Sequence, residues 1–240
     1  MNIKNSININ NKVLINLKPL KKKFKNKNNK FSAKGYIKNT RVKVYEVFDE
    51  NQVKLREFVQ NHRELSKFFP KLITFNKKYI VEEWVEGKTL RESIVKNDTN
   101  ILYSNKLKEI INLMWSVKYD EEAFDYIEYI HHRIKRKNNF DLTNIPKRIN
   151  HNDLSLDNIL VTPDGLKIID NELLGCNTGW ILNIKNSFIK ADYSYQNFIS
   201  VDNLNELWNI RKEWSKIINK NSDKKNNFFK MILKKLKILK

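Results

Sequence analysis

The spacing of apolar residues changes character along the chain, and each change predicts a different kind of element. Residues 1–30 are polar and ragged, ending in the lysine run "KPLKKKFKNKNNK" at 18–30, which reads as a solvated connection between strands or a mobile basic arm. In "GYIKNTRVKVYEVF" the residues Tyr36, Ile37, Val42, Val44, Tyr45, Val47 and Phe48 predict strands. Across 50–69, Leu55, Phe58, Val59, His62, Leu65 and Phe69 recur at helical spacing, predicting one helix closed by Pro70. The runs "KLITF" and "KYIVEEWV" predict two further strands, and Gly87 breaks the pattern. From Leu90 to Phe140 the period becomes helical, through Ile110, Leu113, Met114 and Val117 and then Phe124, Ile127 and Ile130. "NILV" and "LKIID" interrupt it as a hairpin across Pro163, Asp164 and Gly165. Beyond Trp180 helices return, with Leu204, Leu207, Trp208, Ile210 and Trp214 as their core. No internal repeat is visible.

Composition narrows the class. A chain of 240 residues with 40% hydrophobic content can build one sizeable core or two small lobes around a cleft. The single cysteine, Cys176, excludes an internal disulfide framework and fits a reducing compartment. No stretch reaches the length of a membrane span, so the expected location is the cytoplasm, with a peripheral position at the inner membrane face as the variant. The net charge of +19 accompanies an excess of Lys, Asn and Ile together, as an AT-rich coding sequence would produce. Without interleaved aromatic platforms, no specific nucleic-acid partner is expected.

The candidate chemistry lies in "INHNDLSLDNILVTPDGLKIIDNE", residues 149–172. Asp153 and Asn158 bracket a turn before one strand of the hairpin, and Asp170 ends the other. Folding the hairpin brings Asp170 beside Asn158 with Asp153 at the mouth of the same cleft. Two carboxylates and an amide oxygen make a hard-oxygen site suited to Mg²⁺ shared with a substrate phosphate.

"HNDLSLDN" resembles the catalytic loop H-x-D-x-x-x-x-N of the protein-kinase-like fold, and "IIDNELLG" is similar to the D-x-E segment of the aminoglycoside phosphotransferase and choline kinase family. The resemblance spans residues 35–180 and is most specific over 151–172. It implies an α+β, two-lobed fold: a β-rich nucleotide-binding lobe over 1–86, a helical catalytic lobe over 87–225, and an appended segment at 226–240. It also implies roles. Asp153 would orient or deprotonate the acceptor hydroxyl, Asn158 and Asp170 would hold Mg²⁺ bridging the ATP phosphates, and His151 would brace the loop. "RVKVYEV" resembles the strand motif that carries the phosphate-orienting lysine, here Lys43, on the face opposite Val42 and Val44. Its partner would be a helical glutamate, Glu57 or in reserve Glu64. Glu82, Glu83, Trp84 and Val85 would offer backbone groups to adenine.

The departures shape the substrate class. The chain has no glycine-rich phosphate loop, carries Ser155 where protein kinases usually have lysine, and shows no A-P-E-like segment after Asp170. A sugar, glycolipid or other small hydroxyl acceptor is therefore expected, with a protein Ser/Thr kinase or a catalytically weak kinase-like scaffold as alternatives. The C-terminal "NNFFKMILKKLKILK" segregates Lys230, Lys234 and Lys237 from Phe228, Ile232, Leu236 and Leu239 on a helical wheel. It is expected either to pack on the helical lobe or to lie on an anionic membrane. In the latter case a surface-glycan substrate follows, as for the lipopolysaccharide heptose kinases of this fold.

Overall fold

The computed structural model describes residues 6–20, 31–96, 100–129, 142–186 and 195–213. The amphipathic segment 226–240, the lysines of 21–30, Ile130, Phe140 and Trp214 lie outside them.

The first described half is a six-stranded antiparallel sheet of order β1-β2-β3-β4-β6-β5. Its strands are β1 (Ser6–Ile9), β2 (Lys12–Pro19), β3 (Ser32–Ile37), β4 (Thr40–Glu46), β5 (Leu72–Phe75) and β6 (Tyr79–Glu83). The N-terminal stretch is thus not ragged. β1 and β2 pair in register from Ile9↔Lys12 to Ser6↔Ile15. Asn10 and Asn11 both take positive φ, 46° and 62°, as a two-residue turn matching the strand twist requires. Opposite the irregularity in β2 at Asn16 (φ 54°), Gly35 allows close approach, since a Cβ there would lie 2.9 Å from the Ile15 carbonyl oxygen.

Helix α1 (Glu50–Asn61) crosses between β4 and β5. Asp49 caps it by accepting from Gln52 N–H at 3.0 Å, and Gln52 Oε1 accepts the N–H of Phe48, the residue before the cap, at 2.7 Å. The helix is shorter than its apolar spacing predicts. His62 turns extended, and its Nδ1 accepts the Leu65 N–H at 3.3 Å, drawing the chain into a separate 3₁₀ turn over Leu65–Phe68. Pro70 follows that turn, not the helix.

The remainder is mostly helical: α2 (Leu90–Lys96), α3 (Asn100–Ser116), a helical turn α4 over 126–129, α5 (Trp180–Asn186) and α6 over 201–213. The expected hairpin is β9 (Ile159–Thr162) and β10 (Gly165–Ile168), joined at Gly165↔Thr162, with β7 (Lys88–Thr89) on its other edge. A second pair, β8 (Arg148–Asn150) and β11 (Gly175–Asn177), flanks it. The architecture is α+β. Its largest core joins α3, the hairpin and α5, through Ile110, Met114, Ile168 and Trp180, to Leu55, Val59 and Phe69 from around α1. That shared core fixes α1, and with it the back of the sheet, against the hairpin that carries the candidate site.

Candidate active site

Alternation along β4 determines where Lys43 points. Val42 and Val44 are fully buried with Leu14 and Val81 on one face, so Lys43 and Tyr45 face the α1 side. Lys43 Nζ lies 2.5 Å from Asp170 Oδ1 and 3.0 Å from Glu172 Oε1, with Lys43 itself only 7% exposed. Burial is the largest influence on its pKa and lowers it, but the carboxylates of Glu172, Asp170 and Glu82 together outweigh burial and raise it. Lys43 is therefore a cation spanning from the sheet to the segment after β10.

Asp170 is held in place by its backbone. It adopts the left-handed conformation, φ 63° and ψ 47°, at the start of a 3₁₀ turn, Asn171–Leu173. The preceding Ile169 is tied twice to the 151–158 loop: its N–H donates to Asn158 O at 2.9 Å, and its carbonyl accepts from His151 Nε2 at 2.8 Å. Since a carbonyl only accepts, His151 carries its proton on Nε2. The ring is fully buried, burial pushes its pKa down, and Nδ1 has no partner. His151 is thus a neutral brace.

Asn158 Nδ2 donates to Asp153 O at 2.8 Å and to Asp153 Oδ2 at 3.2 Å, which leaves Asn158 Oδ1 as the amide's acceptor. Asp153 is exposed at the loop's mouth. Behind it stands a buried amide network: Asn183 Nδ2 donates to Asn150 Oδ1 and Asn150 Nδ2 to Asn152 Oδ1, each at 2.5 Å, while Asn152 Nδ2 donates to Leu173 O at 2.8 Å. The network lets Asn152 hold a positive φ of 61° directly before Asp153.

The helical partner expected for Lys43 is not there. Glu64 pairs with Lys67 on the surface at 2.8 Å, and Glu57 forms no ion pair among the described residues. The reason is helical phase. α1 turns Gln52, Leu55, Arg56 and Val59 inward, and Glu57, one position beyond Arg56, faces away from that stripe. In place of a glutamate, α1 sends the sheet a buried arginine. Arg56 Nε lies 2.5 Å from Glu82 Oε1, and both residues are 1% exposed. Glu82 also accepts from Tyr45 Oη at 3.2 Å and from Asn171 Nδ2 at 3.1 and 3.2 Å, while Gln52 Nε2 donates to the carbonyls of Glu172 and Leu174. Both polar residues that α1 buries thus reach, directly or through Glu82, the turn that follows Asp170.

The residues 82–85 separate in the structure. Glu82 is a ladder residue, paired with Lys43 and Leu72, and contributes its carboxylate to the floor. Glu83 and Trp84 spend their N–H groups on Lys71 O (2.9 Å) and Arg41 O (3.0 Å). Of residues 83–85, Val85 is the one whose amide forms no hydrogen bond among the described residues. The Trp84 ring is covered by the Arg41 guanidinium at 4.3 Å, and Arg41 in turn pairs with Glu86. A cleft of about 220 Å³ lies between sheet and hairpin, lined by Leu20, Lys43, Glu82, Trp84, Val85 and Asp170 among others.

Sequence reasoning did not find Arg56, Asn171, Glu172 or the asparagine network. Glu172 stood inside the D-x-E segment and could have been taken as the partner of Lys43. Asn150, Asn152 and Asn183 carry no signal in a chain so rich in asparagine.

No family model matches the chain, and no curated protein matches it. Among solved structures, the GDP and kanamycin complex of APH(2″)-IIia is similar over 87% of this chain and 84% of that one, at 12% identity and a TM-score of 0.49. A thermostable mutant of aminoglycoside phosphotransferase APH(4)-Ia matches over 82% and 77%, at 9% identity and 0.47. An ethanolamine kinase of Plasmodium vivax matches over 80% and 66%, at 15% identity and 0.46. At such scores the functional reading rests on the geometry of the site itself.

Proposed function

We propose that the protein is an Mg²⁺-ATP-dependent phosphotransferase acting on a hydroxyl group of a small molecule, a sugar or lipid-linked sugar included. The observation that carries this reading is the ion pairing of Lys43 with Asp170 and Glu172 at the inner end of the cleft, beside the loop that presents Asp153.

The side chains suit the two groups such a reaction needs. Among the described residues no cluster of three His, Cys, Asp or Glu side chains could hold a metal alone. Asp170, Glu172 and the Asn158 amide oxygen would supply an all-oxygen set with coordination positions left for phosphate, which is how Mg²⁺ is usually bound. When bound, Mg²⁺ would neutralise charge on the phosphates during transfer. Lys43, cationic and oriented, would hold the donor phosphates, and Val85 would give its N–H to the base. Asp153, exposed and fixed by Asn158, would accept or align the acceptor's hydroxyl proton. His151 and the asparagine network would keep that carboxylate at a constant distance from the donor, since phosphoryl transfer depends chiefly on positioning and electrostatics.

Among the described residues no helix is long and apolar enough to cross a membrane. Peripheral contact of a lipid-linked acceptor's enzyme with an anionic surface, and a role in surface-glycan synthesis, belong to the same proposal through the sequence of 226–240. The test is ADP release with Mg²⁺ and ATP across sugars, amino alcohols and extracted glycolipids. Acceptor-dependent release that vanishes in Asp153→Asn supports the reading. Failure of every hydroxyl acceptor to stimulate release overturns it.

A further inference from the structure

Charge is distributed unevenly along the chain. Of the 46 Lys and Arg residues, 13 fall within residues 1–45, which hold none of the 27 Asp and Glu residues and leave the rest close to balance. A uniform bias toward lysine would not concentrate the excess on the strands that open the sheet. The same strands expose apolar side chains. Four large hydrophobic residues are exposed among the described ones, and three of them, Val13, Ile15 and Tyr36 (52, 41 and 39% exposed), share one patch. Val13 and Ile15 flank the buried Leu14 on β2 and so point to the opposite face from it, and Tyr36 of β3 stands directly across from Ile15. Scattered exposed side chains need no explanation, but a contiguous group in register does.

Register also surrounds the patch with cations. Arg41, itself paired with Glu86, stands across from Tyr36, and Lys18, Lys34 and Lys43 face one another across β2, β3 and β4. Lys43 is paired with Asp170 and Glu172, and Lys34 lies 5.6 Å over the Trp84 ring. Among the described residues Lys18, Lys34 and Lys38, which is exposed in the β3–β4 turn, form no ion pair. Like charges directly opposite on neighbouring strands destabilise a sheet. Lysines that guard against edge-to-edge pairing belong on an edge strand, β1 or β5 here, whereas β2 and β3 are interior. Aliphatic side chains and a tyrosine ringed by cations complement an anionic lipid surface, where apolar groups enter the headgroup region and lysines stay at the phosphates. A nucleic acid would use the cations but leave Val13 and Ile15 in water, and the ring best suited to stacking, Trp84, is covered by Arg41 at 4.3 Å.

We propose that the face of the sheet formed by Val13, Ile15 and Tyr36, with Lys18, Lys34, Lys38 and Arg41 around them, is a docking surface for an anionic membrane. It stands apart from the phosphotransferase reading and from the 226–240 segment. Cys176 is buried, so a cysteine introduced at the surface of the full-length protein takes a polarity-sensitive fluorophore selectively. Ile15→Cys reports on the patch and Glu109→Cys, exposed on α3, serves as control. Each is mixed with vesicles of phosphatidylcholine, or of phosphatidylcholine and phosphatidylserine in equal parts, at low and high salt. The emission at Ile15→Cys is expected to shift to the blue with anionic vesicles at low salt, to lose most of that shift at high salt or with neutral vesicles, and Glu109→Cys is expected to stay unchanged. In flotation, Val13→Thr, Ile15→Thr and Tyr36→Thr combined should weaken binding about tenfold. Lys18→Gln with Lys34→Gln should weaken it about fivefold for each lysine removed. The fluorophore result stands even where the combined variant melts early. No shift at Ile15→Cys, an equal shift at both positions, or a shift with duplex DNA and none with vesicles would each overturn the assignment. Vesicle binding that both sets of variants leave at the wild-type level would overturn it as well, and would place the anchor in 226–240.

Discussion

Arg56 on α1 and Glu82 on β6 form an ion pair at 2.5 Å with both residues 1% exposed, in the position where a helical glutamate for Lys43 was expected. The helix cation is paired with a strand acid, and Lys43 is left to pair with the segment it serves, through Asp170 and Glu172. Because Glu82 also accepts from Asn171, the orientation of α1 and the turn after Asp170 share one carboxylate.

A buried pair is costly to break from one side only. Arg56→Ala leaves Glu82 uncompensated at full burial and is expected to cost about 3–5 kcal/mol. For a chain of this size that lowers the melting temperature by roughly 6–20 °C. Arg56→Met combined with Glu82→Gln should be clearly less harmful than the sum of the single changes. Thermal denaturation of the wild type, Arg56→Met, Glu82→Gln and the double variant measures the coupling, and strict additivity would show that the two residues do not depend on each other.

Asp153 and Lys43 should separate kinetically. Asp153→Asn removes a proton acceptor from the loop's mouth and is expected to lower kcat by about 10²–10⁴ with nucleotide affinity nearly unchanged. Lys43→Met removes the cation that, on the proposed reading, would hold the donor phosphates, and should lower kcat by about 10²–10³ while weakening nucleotide binding as well. Single-turnover kinetics with separate nucleotide titrations distinguish the two patterns. The same loss of nucleotide affinity in both variants would contradict the assigned roles.

His151 predicts a pH dependence of stability. Burial lowers its folded pKa below the ordinary 6.5, so the unfolded chain takes up this proton first as pH falls. The contribution is complete above about pH 6.5 and is lost as pH falls from there through the lowered folded value. In His151→Gln this part of the acid-side slope should disappear, leaving a flatter melting temperature between neutral and mildly acidic pH. An unchanged slope would mean that other groups govern the acid limb.

How much of this could be read in advance depended on whether local chemistry or tertiary packing decided each point. The hairpin at 159–168 was legible because Pro163, Asp164 and Gly165 dictate a turn, and the face of Lys43 because alternation beside Val42 and Val44 allows one answer. The first hairpin was missed although Asn10 and Asn11 between alternating residues are a turn signal, obscured by the abundance of asparagine. The length of α1 was overestimated because His62 satisfies the helix period yet caps the chain with its ring. The inward phase of Arg56 was beyond reach, since an arginine on an amphipathic stripe looks solvated until a buried carboxylate on another strand is seen opposite it.

The central claim is that the cleft between Lys43 and Asp170 binds nucleotide through Mg²⁺, and thermal stability in the presence of ATP tests it most directly. For the wild type, ATP with Mg²⁺ at 100 times its dissociation constant should stabilise by about 2.7 kcal/mol, and ATP with EDTA by much less. In Asp170→Ala, which would remove the principal charged oxygen ligand proposed for the metal, the Mg²⁺-dependent part of the shift should vanish. A wild-type melting temperature indifferent to ATP with or without Mg²⁺, or the same Mg²⁺-dependent shift in Asp170→Ala, would contradict it.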